Sequence, residues 1–463
     1  MKPIVRISSR RDFLRSVGWG ALGTAVAGGL AGSTASGAPG APAPANPQVK
    51  LALAATDGHI TLPGRPGDAL YIFGFIPVSP TASVSSLSAT YKGKAQHVAP
   101  ILDLRQETDV YITLTNLGLV GRPDLVDSHT IHWHGFRTPT PLNDGVPEVS
   151  VAVPINRQFT YFYRPHNPGT YMYHCHFEDV EHVQMGMTGI VFVRPTQDSV
   201  GTVLDPLHRS STYAYNDGNG ATAYDRHFAI LLDEIEERQH DADELIQEFI
   251  PTNFNPQYFT LNGRVYPQTI LPNNDPSLPY QPVSALIQVN PDDRVLLRLA
   301  NLGYQQHAMQ LPGIALKVVG EDAVLRRSPA GVDTSYLTNT LYLGPGEARD
   351  VLFTAPAFNP SAPSASDARG TYNAYLFKNR DFRRLSNHGA PGLGGMATEV
   401  RVYQGSPLRA CRRSAWCAPP ARPSTSPPRP ASSRPPTATA SSCGATRTPI
   451  PAAISRAPAR SSA

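Results

Sequence analysis

The sequence predicts an all-β protein made of two consecutive β-sandwich domains. Short runs rich in β-branched and aromatic residues recur along it, such as DVYITLTNL, GIVFVRP and RVLLRLANL, with clusters of Pro, Gly, Asn and Asp between them. The 46 prolines and 37 glycines favour short strands and turns over long helices. Because 463 residues exceed what one hydrophobic core holds, more than one domain is expected.

An internal repeat defines the two domains. TDVYITLTNLG in the first half corresponds to DRVLLRLANLG in the second, and NPGTYMYHCHF corresponds to DARGTYNAYLF. A Gly-Met step follows each copy, in GMTGIVFV and GGMATEVRV. The repeat predicts domains over about 50–196 and 205–405. Its second motif aligns Tyr375 with His174, Leu376 with Cys175 and Phe377 with His176.

The N-terminal segment, residues 1–45, predicts export. It contains the basic pair Arg10 and Arg11, then an uncharged, weakly hydrophobic stretch and small residues near Ala35 and Ala38. This order resembles a twin-arginine secretion signal. A membrane anchor is the alternative, although the stretch is short and rich in Gly and Ala. We expect the protein in the extracellular, periplasmic or cell-wall space.

The last segment, residues 406–463, differs in composition from the rest. It has nine arginines, no lysine, aspartate or glutamate, and no strand pattern, so it cannot build a core. One interpretation is a basic, Pro-rich linker or wall-binding tail. The interpretation that we favour is a GC-rich gene read out of frame, in place of a third domain.

Charge is unevenly distributed along the chain. The formal net charge of +4 comprises +4 in residues 1–45, +9 in 406–463 and −9 in 46–405. The acidic body gives no reason to expect nucleic-acid binding. Part of that charge lies in the run DEIEERQHDADEL (233–245), which we expect to be a solvated loop or helix face.

Metal-ligating side chains concentrate in two stretches, HTIHWHG (129–135) and GTYMYHCHFEDVEHVQMGM (169–187). Side chains two apart in a strand share a face. If the two strands pair in register, one face gathers four histidines: His132, His134, His174 and His176. The other face gathers His129 and Cys175, joined by His182 and Met187 from the loop that follows.

The two sets of side chains suit different chemistry. Two imidazoles, a thiolate and a long axial thioether form the ligand set of a blue-copper electron-transfer site, whereas the all-nitrogen set suits copper ions that bind oxygen. Cys175 is the only cysteine of the body and has no disulfide partner there. Met185 is the alternative axial ligand. Zinc is the alternative metal, but Met187 and the separation into two faces argue against it.

These motifs resemble those of multicopper oxidases, laccase-like enzymes built from plastocyanin-like (cupredoxin) domains. The resemblance covers about 50–405, including YFTLNGRVYPQT, which is similar to the opening of a later domain in the family. It implies a type 1 copper on His129, Cys175, His182 and Met187. It also implies type 2 and type 3 copper on His132, His134, His174 and His176. Such an enzyme takes single electrons from a small-molecule or metal-ion reductant and reduces dioxygen to water.

The chain departs from the family pattern in its ligand count. The family's trinuclear cluster needs eight histidines from two domains, and the first copy supplies only four. In the second copy His307 aligns with His129, while Gln310 and Pro312 replace His132 and His134. We expect a copper-free second domain in which His307 is structural. The remaining ligands would come from a third domain or from a neighbouring subunit of a homo-oligomer.

Three alternatives to the oxidase stay open. A type 1 copper electron carrier fits the missing half of the cluster, and a catalytically silent cupredoxin would need no cluster at all. A copper nitrite reductase fits a type 1 site in the first domain. That family, however, has an aspartate where this chain has His132, and it lacks a histidine where this chain has His176.

Acidic residues near the two histidine motifs complete the candidate site. Asp144 corresponds to a family aspartate that assists proton transfer, and its other interpretation is a turn-forming Asp-Gly. Glu178, Asp179 and Glu181 lie between the ligands, where they could relay protons, attract a cationic substrate or serve as ordinary loop acids.

Overall fold

A computed structural model describes residues 47–65, 69–199 and 212–408, so the predicted export signal and all but the start of the predicted tail lie outside it. The described residues contain 21 strands and three short α-helices. The helices are α1 (Val84–Tyr91), α2 (Asp179–Gln184) and α3 (Glu237–Glu244). In the ranges that the structure describes, no helix has the length and apolar character needed to cross a membrane.

Eight strands form the first domain as two four-stranded sheets, in the orders β2-β1-β4-β6 and β3-β8-β7-β5. The strands are β1 (Gln48–Thr61), β2 (Ala69–Pro77), β3 (Leu102–Arg105), β4 (Asp109–Asn116), β5 (His132–His134), β6 (Gln158–Tyr163), β7 (Gly169–His174) and β8 (Thr188–Arg194). Alternating side chains of both sheets meet in one core, where Trp133 stacks on Tyr163 with ring centroids 4.1 Å apart. Cys175 and Met187 belong to the same core.

Thirteen strands form the second domain. They are β9 (Arg226–Ile235), β10 (Tyr258–Leu261), β11 (Ile287–Val289), β12 (Arg294–Asn301), β13 (His307–Gln310), β14 (Leu316–Glu321), β15 (Val324–Leu325), β16 (Tyr336–Thr338), β17 (Thr340–Leu343), β18 (Ala348–Thr354), β19 (Ala365–Asp367), β20 (Gly370–Asn379) and β21 (Ala397–Tyr403). One sheet has the order β10-β9-β12-β18-β14-β15 with β16 on β14, and the other has β11-β21-β20-β13-β17 with β19 on β20. The all-β prediction is confirmed.

The two domains repeat the same strand connections. Parallel pairing of β1 with β4 recurs as β9 with β12, and parallel pairing of β3 with β8 recurs as β11 with β21. Antiparallel pairing of β7 with β8 and β5 recurs as β20 with β21 and β13. The two copies can therefore be compared strand by strand.

The acidic run 233–245 is largely buried, so the expectation of a solvated face is wrong. It comprises the end of β9 and helix α3, which packs against β2 of the first domain. Within it, Glu234, Glu236 and His240 are at most 1% exposed. The His240 Nδ1–H donates to the Tyr71 carbonyl at 2.6 Å, and Arg65 forms ion pairs with α3. The charges serve contact between the domains, which sequence composition alone does not reveal.

Apolar and charged contacts both join the domains. One hydrophobic cluster takes side chains from each of them: Val98, Ile101, Met172, Ile190 and Phe192 from the first, and Ala229, Leu231, Val283, Ala300, Leu302 and Ala348 from the second. Beside it, the buried Asp350 accepts hydrogen bonds from Thr170 and Tyr215, each at 2.6 Å, and lies 3.3 Å from Arg298. Strand β7, which ends at His174, is thereby fixed to the second domain.

Candidate copper sites

Strands β5 and β7 bring the four predicted histidines together. The strands pair antiparallel with His132 opposite His174, so their side chains project from the same face. The His132 ring centroid lies 5.2 Å from that of His174, 5.0 Å from that of His176 and 6.2 Å from that of His134. The strand-parity argument thus anticipates the geometry, while the role of these residues as copper ligands stays a prediction.

Hydrogen bonds orient two of these imidazoles. The Nδ1–H of His132 donates to the Asp144 carbonyl at 2.7 Å, and that of His174 donates to the Cys175 carbonyl at 2.8 Å. Because a carbonyl only accepts, each ring carries its proton on Nδ1 and keeps the Nε2 lone pair for a metal. Burial lowers the pKa of His174 to about 3 and also lowers the pKa of His132. Both rings are consequently neutral near pH 7.

The predicted sulfur and nitrogen set lies on the other side of the Cys175 backbone. The Cys175 Sγ is 3.2 Å from the His182 Nδ1 and 3.8 Å from the His129 Nδ1. All three residues are at most 1% exposed, and these three atoms lie within 4.8 Å of one another. Neither imidazole Nε2 has a hydrogen-bond partner. A thiolate and two convergent imidazole nitrogens in a closed pocket fit a copper ion.

Met187 is tied to this group by its backbone. Its carbonyl accepts the Cys175 N–H at 3.2 Å, and its N–H donates to the His182 carbonyl at 3.0 Å. The rival Met185 instead pairs its backbone with Glu181 and Phe73. Both thioethers are buried. The backbone of Met187 thus contacts two predicted copper ligands, and its role as the axial ligand stays a prediction.

His182 lies on helix α2, so its placement on a loop is wrong. Glu178 precedes the helix in the left-handed conformation, with φ of 47°, and its carbonyl accepts the His182 N–H at 2.9 Å. Burial alone would lower the pKa of His182, but Cys175 and Asp127 raise it to about 10. The raised pKa of His182 favours a protonated ring beside the sulfur. Metal binding would release that proton, as is usual where ligands must be deprotonated.

Adjacent peptides connect the two groups, because His174 and His176 flank Cys175. Thr130 adds a second link: its N–H lies 3.4 Å from the Cys175 sulfur, and its Oγ1 accepts the His176 N–H at 2.9 Å. The sulfur is therefore one short covalent path from both flanking imidazoles.

Asp144 combines both interpretations of its sequence position. It follows the 3-10 turn Pro141–Asn143 and precedes Gly145, which has a φ of 79°. Its carboxylate lies 3.8 Å from the His132 Nδ1 and accepts the Thr138 hydroxyl at 3.3 Å. A turn thus delivers a carboxylate to the four-histidine group, and the proton-transfer role stays a prediction.

Asp127, which no sequence motif identified, lies 3.6 Å from the His182 Nε2. Its carboxylate, that of Glu178 and the His182 ring bring their ligand atoms within 4.8 Å of one another. A cavity between α2 and the segment after α3 opens nearby. Its lining includes Glu178, Asp179, Glu181, Asp243 and Phe249. Asp243 and Phe249 belong to the second domain, which explains why no local motif identified them.

The second domain aligns differently from the sequence prediction. Pairing of β13 with β20 sets Gln310 opposite Lys378, where β5 and β7 set His132 opposite His174. Lys378, Asn379 and Arg380 therefore correspond to His174, Cys175 and His176, and the alignment to Tyr375, Leu376 and Phe377 is wrong. Both strands begin with GTY, but β20 has three more residues than β7 before the site. The Asn379 N–H donates to the Met396 carbonyl at 2.9 Å, just as that of Cys175 donates to Met187.

This comparison exposes a relic site, which we define as His307, Asn379, Arg384 and Met396. The Asn379 Nδ2 lies 3.3 Å from the His307 Nδ1 and 3.3 Å from the Met396 Sδ. The Arg384 Nη1 lies 2.6 Å from the same His307 nitrogen. The Arg384 guanidinium thus binds the His307 nitrogen that corresponds to the predicted copper-binding nitrogen of His129. In the described part of the second domain, no three metal-ligating side chains converge within 4.8 Å.

Comparisons with known proteins identify multicopper oxidases as similar to this chain. The family model of multicopper oxidases matches residues 77–198. Laccase-1 of Emericella nidulans is 29% identical over 107 residues, 23% of this chain and 16% of the relative. Laccase-7 of Oryza sativa subsp. japonica is 28% identical over 236 residues, 49% of this chain and 35% of the relative. The chain thus spans about a third or less of the length of these curated relatives.

A solved structure supports the fold. The Blue Copper Oxidase from Nitrosomonas europaea superimposes with a TM-score of 0.54 at 22% identity, covering 76% of this chain and 85% of that one. The predicted tandem cupredoxin fold is confirmed.

Proposed function

We propose that this chain, which belongs to the multicopper oxidase family through residues 77–198, takes part in a laccase-like oxidation that passes single electrons from a reductant to dioxygen. The observation that carries the proposal is the junction of two ligand groups at Cys175, with the sulfur in one and the flanking His174 and His176 in the other. When bound, copper would supply one-electron oxidation at the first group and dioxygen reduction to water at the second.

The residues of the first group would hold a type 1 copper. Cys175, His129 and His182 supply one sulfur and two nitrogen atoms, and Met187 is proposed as the axial ligand. Complete burial excludes water from the sulfur and keeps the group rigid. Rigid ligands change little between oxidation states, which suits fast electron transfer.

The second group would hold oxygen-binding copper through His132, His134, His174 and His176. We propose that Asp144 relays protons there, since its carboxylate lies 3.8 Å from the His132 Nδ1. This is half of the family's set. We therefore propose that the chain binds copper firmly at the first group and weakly at the second, unless a further domain or a neighbouring subunit adds histidines.

Cationic reductants, including metal ions, fit the approach to His182 best. Four carboxylates line the neighbouring cavity: Glu178, Asp179, Glu181 and Asp243. The Arg122 guanidinium is already paired with the Asp124 carboxylate, at 2.8 Å. Burial raises the pKa of Asp243 to about 7 and also raises that of Glu181, so these two acids carry only part of their charge near neutral pH. The negative charge that remains attracts cations and repels anions at low ionic strength. The cavity therefore supports a positively charged donor such as an aryl ammonium or a reduced metal ion.

Export by the twin-arginine route belongs to the same proposal and rests on Arg10 and Arg11 in the sequence. That route carries folded proteins, which suits a chain that takes up its metal before export.

One alternative has an observation in its favour. A type 1 electron carrier needs only the first group, and the described part of the second domain supplies no histidine cluster. Nitrite reduction is disfavoured, because both His132 and His176 are present and face the other histidines.

Copper counting and oxygen uptake together test the function. The full chain is purified, loaded with copper and examined by metal analysis, absorption and electron paramagnetic resonance, with a phenolic and a cationic donor supplied in turn. One tightly bound blue copper without oxygen uptake supports the carrier. Several coppers with oxygen uptake support the oxidase. Absence of any blue copper contradicts both, and nitrite consumption in place of oxygen would select the reductase.

A further inference from the structure

A chain of polar contacts, buried at His307 and Glu234 and exposed at Tyr304, runs from the relic site toward the first domain. The Glu234 Oε2 lies 2.9 Å from the His307 Nε2. The other carboxylate oxygen accepts the backbone N–H groups of Tyr304 and, at 2.8 Å, of Gln305. Glu234 is 1% exposed and His307 is fully buried. The carboxylate therefore fixes the segment that carries Tyr304 to the histidine of the relic site.

The chemistry of the partners assigns the protons in this chain. Arg384 and Asn379 both present N–H groups to the His307 Nδ1, so that nitrogen must accept. The Nε2 then carries the ring proton and donates to Glu234. A neutral imidazole thus joins the partly buried Arg384 guanidinium to the buried Glu234 carboxylate.

Two contacts extend the chain to helix α2 of the first domain. The Tyr304 hydroxyl donates to the Val180 carbonyl and lies 3.5 Å from the Asp179 carbonyl, at the start of the helix. At the other end, the Gln184 Nε2 donates to the Glu234 carbonyl at 3.0 Å. His182 lies between these two attachments.

We propose that the relic site of the second domain positions the His182 ligand of the first domain through Glu234 and Tyr304. A helix of six residues is too short to hold its shape alone, so its outside contacts decide how precisely it presents His182. Glu234, His307 and Tyr304 act as positioning residues, since they reach the ligand through α2. The inference rests on the proposed function only for the identity of the metal that His182 binds.

Tyr304→Phe tests the proposal in the full chain, because it removes one hydroxyl and keeps the ring. Tyr336→Phe is the matched control. Tyr336 lies on β16 of the same domain, and its hydroxyl donates to the Glu321 carboxylate at 2.9 Å. Hydrogen exchange is followed at the His182 and Met185 amides, which bond the Glu178 and Glu181 carbonyls within α2. The second measurement is the electron paramagnetic resonance spectrum of the copper-loaded protein.

The expected result for Tyr304→Phe is roughly fivefold faster exchange at both amides, the factor typical of losing one hydrogen bond. We also expect a changed copper hyperfine pattern with the copper retained. Gln184→Met should also speed the exchange at both amides, since it removes the hydrogen bond from the Gln184 side chain to the Glu234 carbonyl. Exchange and spectra identical to those of the unmodified protein and of Tyr336→Phe would overturn the proposal. If no variant binds copper, the proposed function fails while the exchange rates still decide this inference.

Discussion

The two domains share one topology and differ at one site, which separates what the fold determines from what side chains determine. Both have a histidine at or shortly before the first strand of the site, His307 or His129, and a methionine whose carbonyl accepts the backbone N–H of Asn379 or Cys175. In the first domain Cys175 and His182 complete the set. In the second, Asn379 and Arg384 stand in their places. The sandwich builds the pocket twice, and two side chains decide whether it suits a metal or a guanidinium.

The sharpest way to break this comparison is to remove the sulfur. Cys175→Ser should abolish the blue absorption and electron transfer completely, because a serine hydroxyl is not a soft, polarisable ligand. Asn379→Ser, at the corresponding place in the second domain, should keep the blue copper and electron transfer, with only the small spectral change expected from its place in the relic site. Absorption spectra and copper analysis of the two variants give the answer. A blue serine variant at position 175 would remove the basis of the site assignment.

The reverse experiment introduces copper ligands into the relic site. Asn379→Cys combined with Arg384→His should give the second domain a thiolate and an imidazole beside His307 and Met396, and with them about one additional blue copper. Arg384→His alone is the control, since it frees the His307 nitrogen but adds no sulfur. Copper stoichiometry and blue absorption per chain are measured. If the double variant binds no more copper than the control, the two pockets differ by more than their ligands.

Part of this comparison was available from the sequence. Strand periodicity is local, so the pairing of His132 with His174 and the separation of Cys175 from its neighbours followed from residue spacing. The three extra residues of β20 were not visible, because a shared GTY start hides an insertion that only strand pairing reveals. The burial of Glu234 in an acidic run was also beyond the sequence, since contacts between domains bring it about.

A buried carboxylate at the boundary between the two domains should contribute more to the free energy of unfolding than an exposed carboxylate does. Asp350→Ala leaves the buried Arg298 without its carboxylate, which typically costs about 3–5 kcal/mol of unfolding free energy. Asp333→Ala removes an exposed aspartate, 3.5 Å from Lys317, and should cost less than about 1 kcal/mol. Denaturant titration of both variants measures the difference. Equal losses would show that the buried Asp350 contributes no more to the free energy of unfolding than an exposed aspartate does.

The smallest predicted effect concerns a glycine of the second domain that touches the four-histidine group. Gly346 has a φ of 76°, and a Cβ there would lie 2.8 Å from the His134 Nε2. Gly346→Ala should therefore turn the His134 ring and weaken metal binding at that group by roughly tenfold to a hundredfold, as for other changes beside ligands. The blue site should keep its copper. Copper titration followed by paramagnetic resonance distinguishes the two sites.

Gly331→Ala is the control for this variant. Gly331 has a φ of 81°, so alanine introduces the same backbone strain, yet no atom lies within 4 Å of the added methyl. If both glycine variants weaken the four-histidine group equally, backbone strain and not contact with His134 is the cause.

The hydrophobic cluster shared by the two domains has a consequence for biosynthesis. Met172, Ile190 and Phe192 lie on β7 and β8, and they are covered by residues of β9 and β12, such as Leu231 and Ala300. The ribosome makes β7 and β8 first, so this apolar face stays open to water until some hundred further residues have been added. During that interval strand β7, which ends one residue before Cys175, is exposed to aggregation and the ligands beside it to premature metal capture, and chaperone binding at this face would protect them.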